Sequence, residues 1–184
     1  MITEIDVCGV LSRTVCEFHN DLVTRPTGRA VRTSIEAELA GVTGVNVVVL
    51  DFSAVRLIDC SCADEIVAKL VAGSLRPDSP AGETFFLIRG LADHHVEQIE
   101  EVLRRQRLAL VAVTDGALRL LGWASDGARA AFERLVGLGS AAAAELATEL
   151  ACSADEAEAV LDELVGRRLV VRADDRYLPP TAAA

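Results

Sequence analysis

Aromatic side chains are scarce: one tryptophan, one tyrosine and five phenylalanines in 184 residues. A core must therefore be built from Ala, Val, Leu and Ile. Hydrophobic residues still make up 51% of the chain, enough for a packed interior, which argues against disorder. Basic residues are also short, 18 against 28 acidic ones, leaving a net charge of −10. Such a chain repels phosphate backbones and anionic membranes, so nucleic acid is disfavoured as a partner unless charge is segregated. No apolar run reaches about 18 residues, so no transmembrane helix is expected. The opening MITEIDVCGV lacks the basic-then-apolar order of a signal peptide, and a cytoplasmic location is the expectation. The cysteines Cys8, Cys16, Cys60, Cys62 and Cys152 are odd in number and have no framework spacing. They are expected to be free thiols, mostly buried.

Familiar catalytic and phosphate-binding motifs are missing too. There is no G-x-x-x-x-G-K-[ST], no G-x-G-x-x-G after a strand, and no G-x-S-x-G elbow with a matching His and acid. Soft metal ligands cluster only at Cys60-x-Cys62 and His94-His95. Neither has the paired spacing that zinc sites prefer, and the two histidines are expected on different faces of a helix start. No metal or cofactor is expected. A thiol at a helix N-terminus is activated, but Asp59, Asp64 and Glu65 disfavour a thiolate at Cys60 or Cys62. Both cysteines are expected as core or loop fillers.

What is present is alternation of strand and helix. Residues 5–18 hold a strand or two, or a strand and a short helix. Pro26 and Gly28 mark a turn, and Val31, Ile35 and Leu39 then predict a helix over roughly residues 28–40. Val45 to Leu50 is nearly all β-branched and suits a strand buried on both faces. Ala63, Ile66, Val67, Leu70 and Val71 predict a helix beginning near Ser61. A surface loop over residues 75–83 follows. A strand is predicted over Thr84 to Ile88, a helix through Val96, Ile99 and Leu103, a strand over Leu108 to Val113, and an edge strand over Ala117 to Leu121 after the Asp115-Gly116 turn. The expected fold class is α/β, with helices packed on a sheet. An edge of aliphatic strands can pair with another copy, so a homo-oligomer is one expectation.

A joint falls at residues 123–127. Beyond it a helix runs from Ala130 to Val136, a second is expected to be capped by Ser140, and Ser153-Ala-Asp-Glu156 is a capping box opening a third. Strands flanking Asp174-Asp175 then make a hairpin. Three helices and a β-ribbon form a winged-helix-like pattern, giving expected domains of residues 1–123 and 124–184. From Asp126 onward six basic and 11 acidic residues leave a net of −5. The third helix would meet DNA phosphates with Asp155, Glu156, Glu158, Asp162 and Glu163, so protein interaction or dimerisation is favoured for this part. The plainer alternative is that the tail only stabilises the first domain.

The stretch VVVLDFSAVRLIDCSCADEIVAKL places Ser61 where a strand hands over to a helix. Ser61-x-x-Asp64 matches a capping box, so Ser61 is expected to cap the helix. A phosphate there would meet a helix dipole while adding charge to an acidic patch.

The order Leu50-Asp51-Phe52-Ser53, then Val55, Ile58-Asp59 and Ser61 before a helix resembles the STAS domain of anti-sigma factor antagonists. Still more similar are bacterial STAS-like domains of unknown function, through Ser61-Cys62-Ala63-Asp64-Glu65 and Arg25-Pro26-Thr27-Gly28-Arg29. Cys60 stands where the family has a serine and Cys62 where it has a glycine. The resemblance implies a STAS-like mixed sheet and a non-enzymatic regulator that binds proteins. Ser61 would be its phosphorylation switch. Asp51, Ser53, Asp59, Cys60, Cys62, Asp64 and Glu65 would form its interaction loop, with an anti-sigma-like kinase or another signalling protein as partner. Two alternatives stand beside it: a DNA-binding transcriptional regulator using the winged helix, and a small-ligand or thiol-active pocket protein at Ser61 or Cys62.

Overall fold

The computed structural model describes residues 1–41, 44–79 and 83–182. Five strands form one mixed sheet: β1 (Ile2–Asp6), β3 (Val45–Asp51), β5 (Glu83–Arg89), β6 (Ala109–Thr114) and β7 (Ala117–Gly122), lying in that order across the sheet. The first four run parallel. β7 pairs antiparallel with β6 across the Asp115-Gly116 turn and forms an edge, as expected from the sequence. Between β1 and β3 lie α1 (Val7–Thr14), a two-residue strand β2 (Asp21–Leu22) and α2 (Arg25–Leu39). β2 pairs parallel with β4 (Leu57–Ile58) in a second, minimal sheet. After β4 the chain enters one continuous helical run: α3 (Cys60–Ala63), a π-helical turn over Asp64–Ala68, and α4 (Lys69–Ser74). α5 (Asp93–Arg105) joins β5 to β6.

The central strands are buried on both faces, so their sequences read as apolar runs. Side chains alternate across a strand, and the two sets meet different helices. Val48, Leu50, Phe86, Ile88 and Leu110 pack with Leu11, Val31, Ile35, Ile66, Ile99 and Leu103 from α1, α2, the π-turn and α5. Val47, Val49, Phe85, Leu87 and Val111 pack with α6 (Asp126–Leu138), α7 (Ala143–Leu150), α8 (Ala154–Gly166) and the hairpin of β8 (Val171–Ala173) and β9 (Arg176–Leu178). The result is helices, sheet, then helices with a hairpin. The division at residue 123 falls in the link between β7 and α6, and the second hydrophobic cluster includes residues from both sides of it. Trp123 in that link lies under two guanidinium groups, Arg167 at 4.4 Å and Arg107 at 5.1 Å. Such stacking contributes about 0.5–1 kcal/mol per contact at partly exposed sites.

Several local expectations change. Pro26 and Gly28 lie inside α2 rather than in a preceding turn. Proline in a first helical turn loses no hydrogen bond, because those N–H groups lack helical partners anyway. Ser140 does not cap α7; Ala142 holds that position, and Glu145 reaches back to its N–H at 2.9 Å. The Ser140 hydroxyl instead accepts from Arg176. The Ser153 capping box stands as read, with Glu156 N donating to Ser153 Oγ at 3.2 Å. The predicted loop over residues 75–83 includes Pro80, Ala81 and Gly82, which lie outside the described residues. Among the described residues no helix is long and apolar enough to cross a membrane.

Candidate functional site

At one end of the sheet the link from β3 to α3 meets the start of α2. The helical run does not begin at Ser61. Cys60 is its first residue, and Asp59 takes the cap position with extended backbone. Asp59 Oδ1 accepts from Cys62 N at 2.7 Å and from the Ser61 hydroxyl at 2.8 Å. Oδ2 accepts from Thr24 N at 3.0 Å. The expected Ser61 cap is therefore corrected: a carboxylate two residues earlier does that work better, being charged and aimed at the positive end of the helix. Partial burial pushes the Asp59 carboxyl up, but hydrogen bonds from Thr24, Cys62 and Ser61 outweigh it and hold the group below the usual carboxylate range. Asp59 N donates to Leu22 O at 3.0 Å, and Arg56 N to Asn20 O at 2.9 Å. The small β2–β4 pair thus pins the link against the segment preceding α2.

Thr24 is the residue that sequence reasoning missed. Its φ of 73° lies in the left-handed region, a conformation costing roughly 1–3 kcal/mol outside glycine. Three contacts hold it there: its N–H on Asp59, and its carbonyl accepting from Gly28 N and from Cys62 Sγ, both at 3.1 Å. Gly28 explains why α2 comes so close. A Cβ there would lie 2.9 Å from Glu65 Cβ and 3.0 Å from Cys62 Cα. Glycine alone lets the two helices meet at this spacing.

The cysteines divide. Cys62 is fully buried, with burial and then Asp59 pushing its thiol up to about 12. A thiol in that state is inert at neutral pH. Cys60 is exposed and donates to Gln98 Oε1 at 2.7 Å. Cys62, expected on the interaction loop, therefore faces inward, and a side chain larger than glycine there leaves the approach to Ser61 unobstructed.

Glu65 is also enclosed, with none of its side chain exposed, which corrects its placement on an interaction surface. It lies in the π-turn among three cations: Arg25 Nη1 at 2.9 Å, Arg32 Nη2 at 3.5 Å and Lys69 Nζ. Desolvation pushes the Glu65 carboxyl up, but its hydrogen bonds and charge contacts with Lys69, Arg25 and Arg32 leave it lowered. Asp64 accepts from Arg25 at 2.7 Å and from Gln106. Arg25, Cys60, Ser61, Asp64, Arg105 and Gln106 line a surface cavity of about 230 Å³. Ser61 is half-buried at its edge.

Asp51 and Ser53 lie at the β3 end of the same link. Asp51 accepts from Ser53 N at 2.8 Å and from Arg89 Nε at 2.9 Å, and Arg89 also grips Glu4 with both terminal nitrogens. Burial raises the Asp51 carboxyl, but the bonds from Ser53 and Arg89 leave it lowered. Ser53 is exposed. Gly90 packs against it with φ 72°, and a Cβ at Gly90 would fall 2.8 Å from Ser53 Cα.

The histidines do not diverge as expected. His94 Nε2 and His95 Nε2 both donate to the Arg56 carbonyl, at 3.0 and 3.3 Å. His95 is buried, and its Nδ1 accepts from Ala92 N at 3.2 Å. Burial pushes its ring below the ordinary value of 6.5. Among the described residues no group of three or more His, Cys, Asp or Glu is placed to hold a metal ion.

A larger cavity of about 470 Å³ lies at the far end of the helical run, lined by Leu39, Leu70, Ser74 and Phe86 among others. It holds none of the sequence-predicted site residues. No protein-family model, curated protein or solved structure matches the chain.

Proposed function

We propose that the protein is a non-enzymatic regulator that binds another signalling protein through the link and helix start from Asp51 to Asp64, with Ser61 as a phosphorylation switch. Residues 1–123 are read as a STAS-like unit and residues 124–184 as a winged-helix-like module packed on it. The observation that carries the reading is the setting of Ser61. Its hydroxyl is half-buried beside an open cavity, hydrogen-bonded to Asp59 at 2.8 Å, and dispensable as a cap because Asp59 fills that role. A phosphate there would set about two negative charges beside the Asp59 and Asp64 carboxylates. Arg25 and Arg105 line the same cavity and offer cations to receive it. The anti-sigma-like kinase implied by the resemblance is the proposed partner.

The rival readings find less support. Cys62 is enclosed and its thiol is pushed up to about 12, which weighs against thiol chemistry. Along α8 the side chains of Asp155, Glu156, Glu158 and Asp162 are exposed. Arg167, Arg168 and Arg176 are already ion-paired with Glu163, Glu83 and Glu145. A DNA reader needs free cations on that face.

Intact mass after incubation with ATP and an anti-sigma-like kinase tests the switch. The wild-type protein is expected to gain one phosphate and Ser61→Ala none. A Ser61→Ala protein that gains the same phosphate overturns the assignment.

A further inference from the structure

The first half of α2 carries Arg25, Arg29 and Arg32, with no acid in the first turn and none before Glu36. Spacings of four and three residues put all three along one side of the helix. Cations near a helix N-terminus stand against the macrodipole and are unfavourable unless an anion compensates. Arg25 has Asp64 and Glu65, at 2.7 and 2.9 Å. Arg32 has Glu36 at 2.7 Å and Glu65 at 3.5 Å. Arg29 is exposed and has no carboxylate partner among the described residues. In a chain with 28 acidic residues against 18 basic ones, an uncompensated arginine at this position is out of keeping with the rest of the surface.

Arg29 also has company. With Arg25, Pro26, Ala30 and Thr33 it lines a surface hollow of about 470 Å³. Its neighbours supply an apolar floor in Pro26 and Ala30 and a cationic rim. Arg25 lines this hollow and the Ser61 cavity alike.

We infer that this face of α2 docks an acidic segment of a protein partner, with a carboxylate seated on Arg29 and apolar neighbours against Pro26 and Ala30. The inference rests on the reading of the Ser61 region as a protein-binding surface and extends that surface onto α2. Charge complementarity selects the occupant. A second copy carries a net −10 of its own, so copies repel at long range. A free phosphate would use the cations but leave the apolar floor uncovered. The shared position of Arg25 links the two surfaces: a phosphate on Ser61 competes for the guanidinium that borders the docking face.

The test is an NMR titration of the ¹⁵N-labelled full chain at about 50 mM salt, where charge pairing is least screened. The probes are a peptide alternating Glu and Leu, its Gln counterpart, and inorganic phosphate. The Glu peptide is expected to move the amide signals of residues 25–33, and the Gln peptide and phosphate are not. Arg29→Ala should bind the Glu peptide about fivefold more weakly, the effect of one exposed charge pair. Arg119→Ala, on the exposed edge strand, should bind as wild type. The inference is overturned by no shift with the Glu peptide, by equal shifts around Arg119, by wild-type binding in Arg29→Ala, or by phosphate alone reproducing the effect. Ser61→Asp separates this inference from the reading beneath it. If Arg29→Ala weakens binding and Ser61→Asp does not, the docking face stands and the switch falls. If only Ser61→Asp weakens it, the docking face falls.

Discussion

Asp59→Ala and Ser61→Ala should differ sharply in stability, although the two residues are neighbours in one loop and hydrogen-bonded to each other. Asp59 caps the helical run through Cys62 N, fixes Thr24 N on the opposing segment and accepts the Ser61 hydroxyl. Losing the cap costs about 1 kcal/mol. Each remaining charge-assisted bond contributes about 0.5–1 kcal/mol once partial exposure is allowed for. The expected loss is about 2–3 kcal/mol, or a fall in Tm of about 5–10 °C for a chain of this size. Strain at Thr24 works in the same direction, because its φ of 73° loses one of the contacts that hold it. Ser61→Ala removes one donor from a carboxylate that keeps two others, and alanine is the better helix former. Its effect should stay within about 0.5 kcal/mol. Asp59→Asn should fall between, since asparagine caps as well as aspartate but carries no charge. Equilibrium urea unfolding, with far-UV circular dichroism as the probe, measures all three. An Asp59→Ala protein as stable as wild type, or a Ser61→Ala protein as damaged as Asp59→Ala, refutes the assignment of the cap.

Three further outcomes follow from the same geometry. Glu65→Gln leaves Arg25, Arg32 and Lys69 gathered around a neutral side chain and should cost about 2 kcal/mol in urea unfolding. Because the folded-state carboxyl lies below its ordinary value of 4.5, its contribution is present above that pH and is lost as pH falls through the folded value; the variant should lose less stability than wild type on acidification through that range. His95 is held neutral below its ordinary value of 6.5, so wild-type stability should decline as pH drops below 6.5, where the unfolded chain takes up the proton first. His95→Gln should flatten that decline, and an unchanged pH profile counts against the buried neutral ring. Iodoacetamide at pH 8 followed by peptide mass mapping should label Cys60 and spare Cys62 in the native state; equal labelling contradicts the burial of Cys62.

The strands were legible because burial on both faces leaves a plain signature: Val45 to Leu50 and Thr84 to Ile88 are short, apolar and bounded by breakers. The amphipathic helices were legible for the complementary reason, one apolar stripe each. The β2–β4 pair was not, since two residues carry no period. Nor was the π-turn at Asp64–Ala68, whose extra residue per turn leaves the apolar spacing of Ile66, Val67 and Leu70 intact. The cap was misplaced because aspartate and serine are both good caps and stand two residues apart. Only the path of the chain from β4, with Asp59 N bound to Leu22 O, settles which comes first. Pro26 and Gly28 look like a turn by composition, yet proline suits a first helical turn, and Gly28 is required by a neighbour 34 positions along the chain at Cys62. Contacts of that range, like Arg25 with Glu65, depend on topology that no local pattern encodes. Thr24 left no sequence signal at all.

The central claim is that charge at Ser61 controls binding at the surface around it. Isothermal titration of the candidate kinase partner against wild type, Ser61→Ala and Ser61→Asp tests this most directly. Ser61→Ala should bind as wild type. Ser61→Asp should bind at least about tenfold more weakly, as expected for a carboxylate introduced at the centre of a contact already bordered by Asp59 and Asp64. Equal affinity for all three proteins would contradict the account.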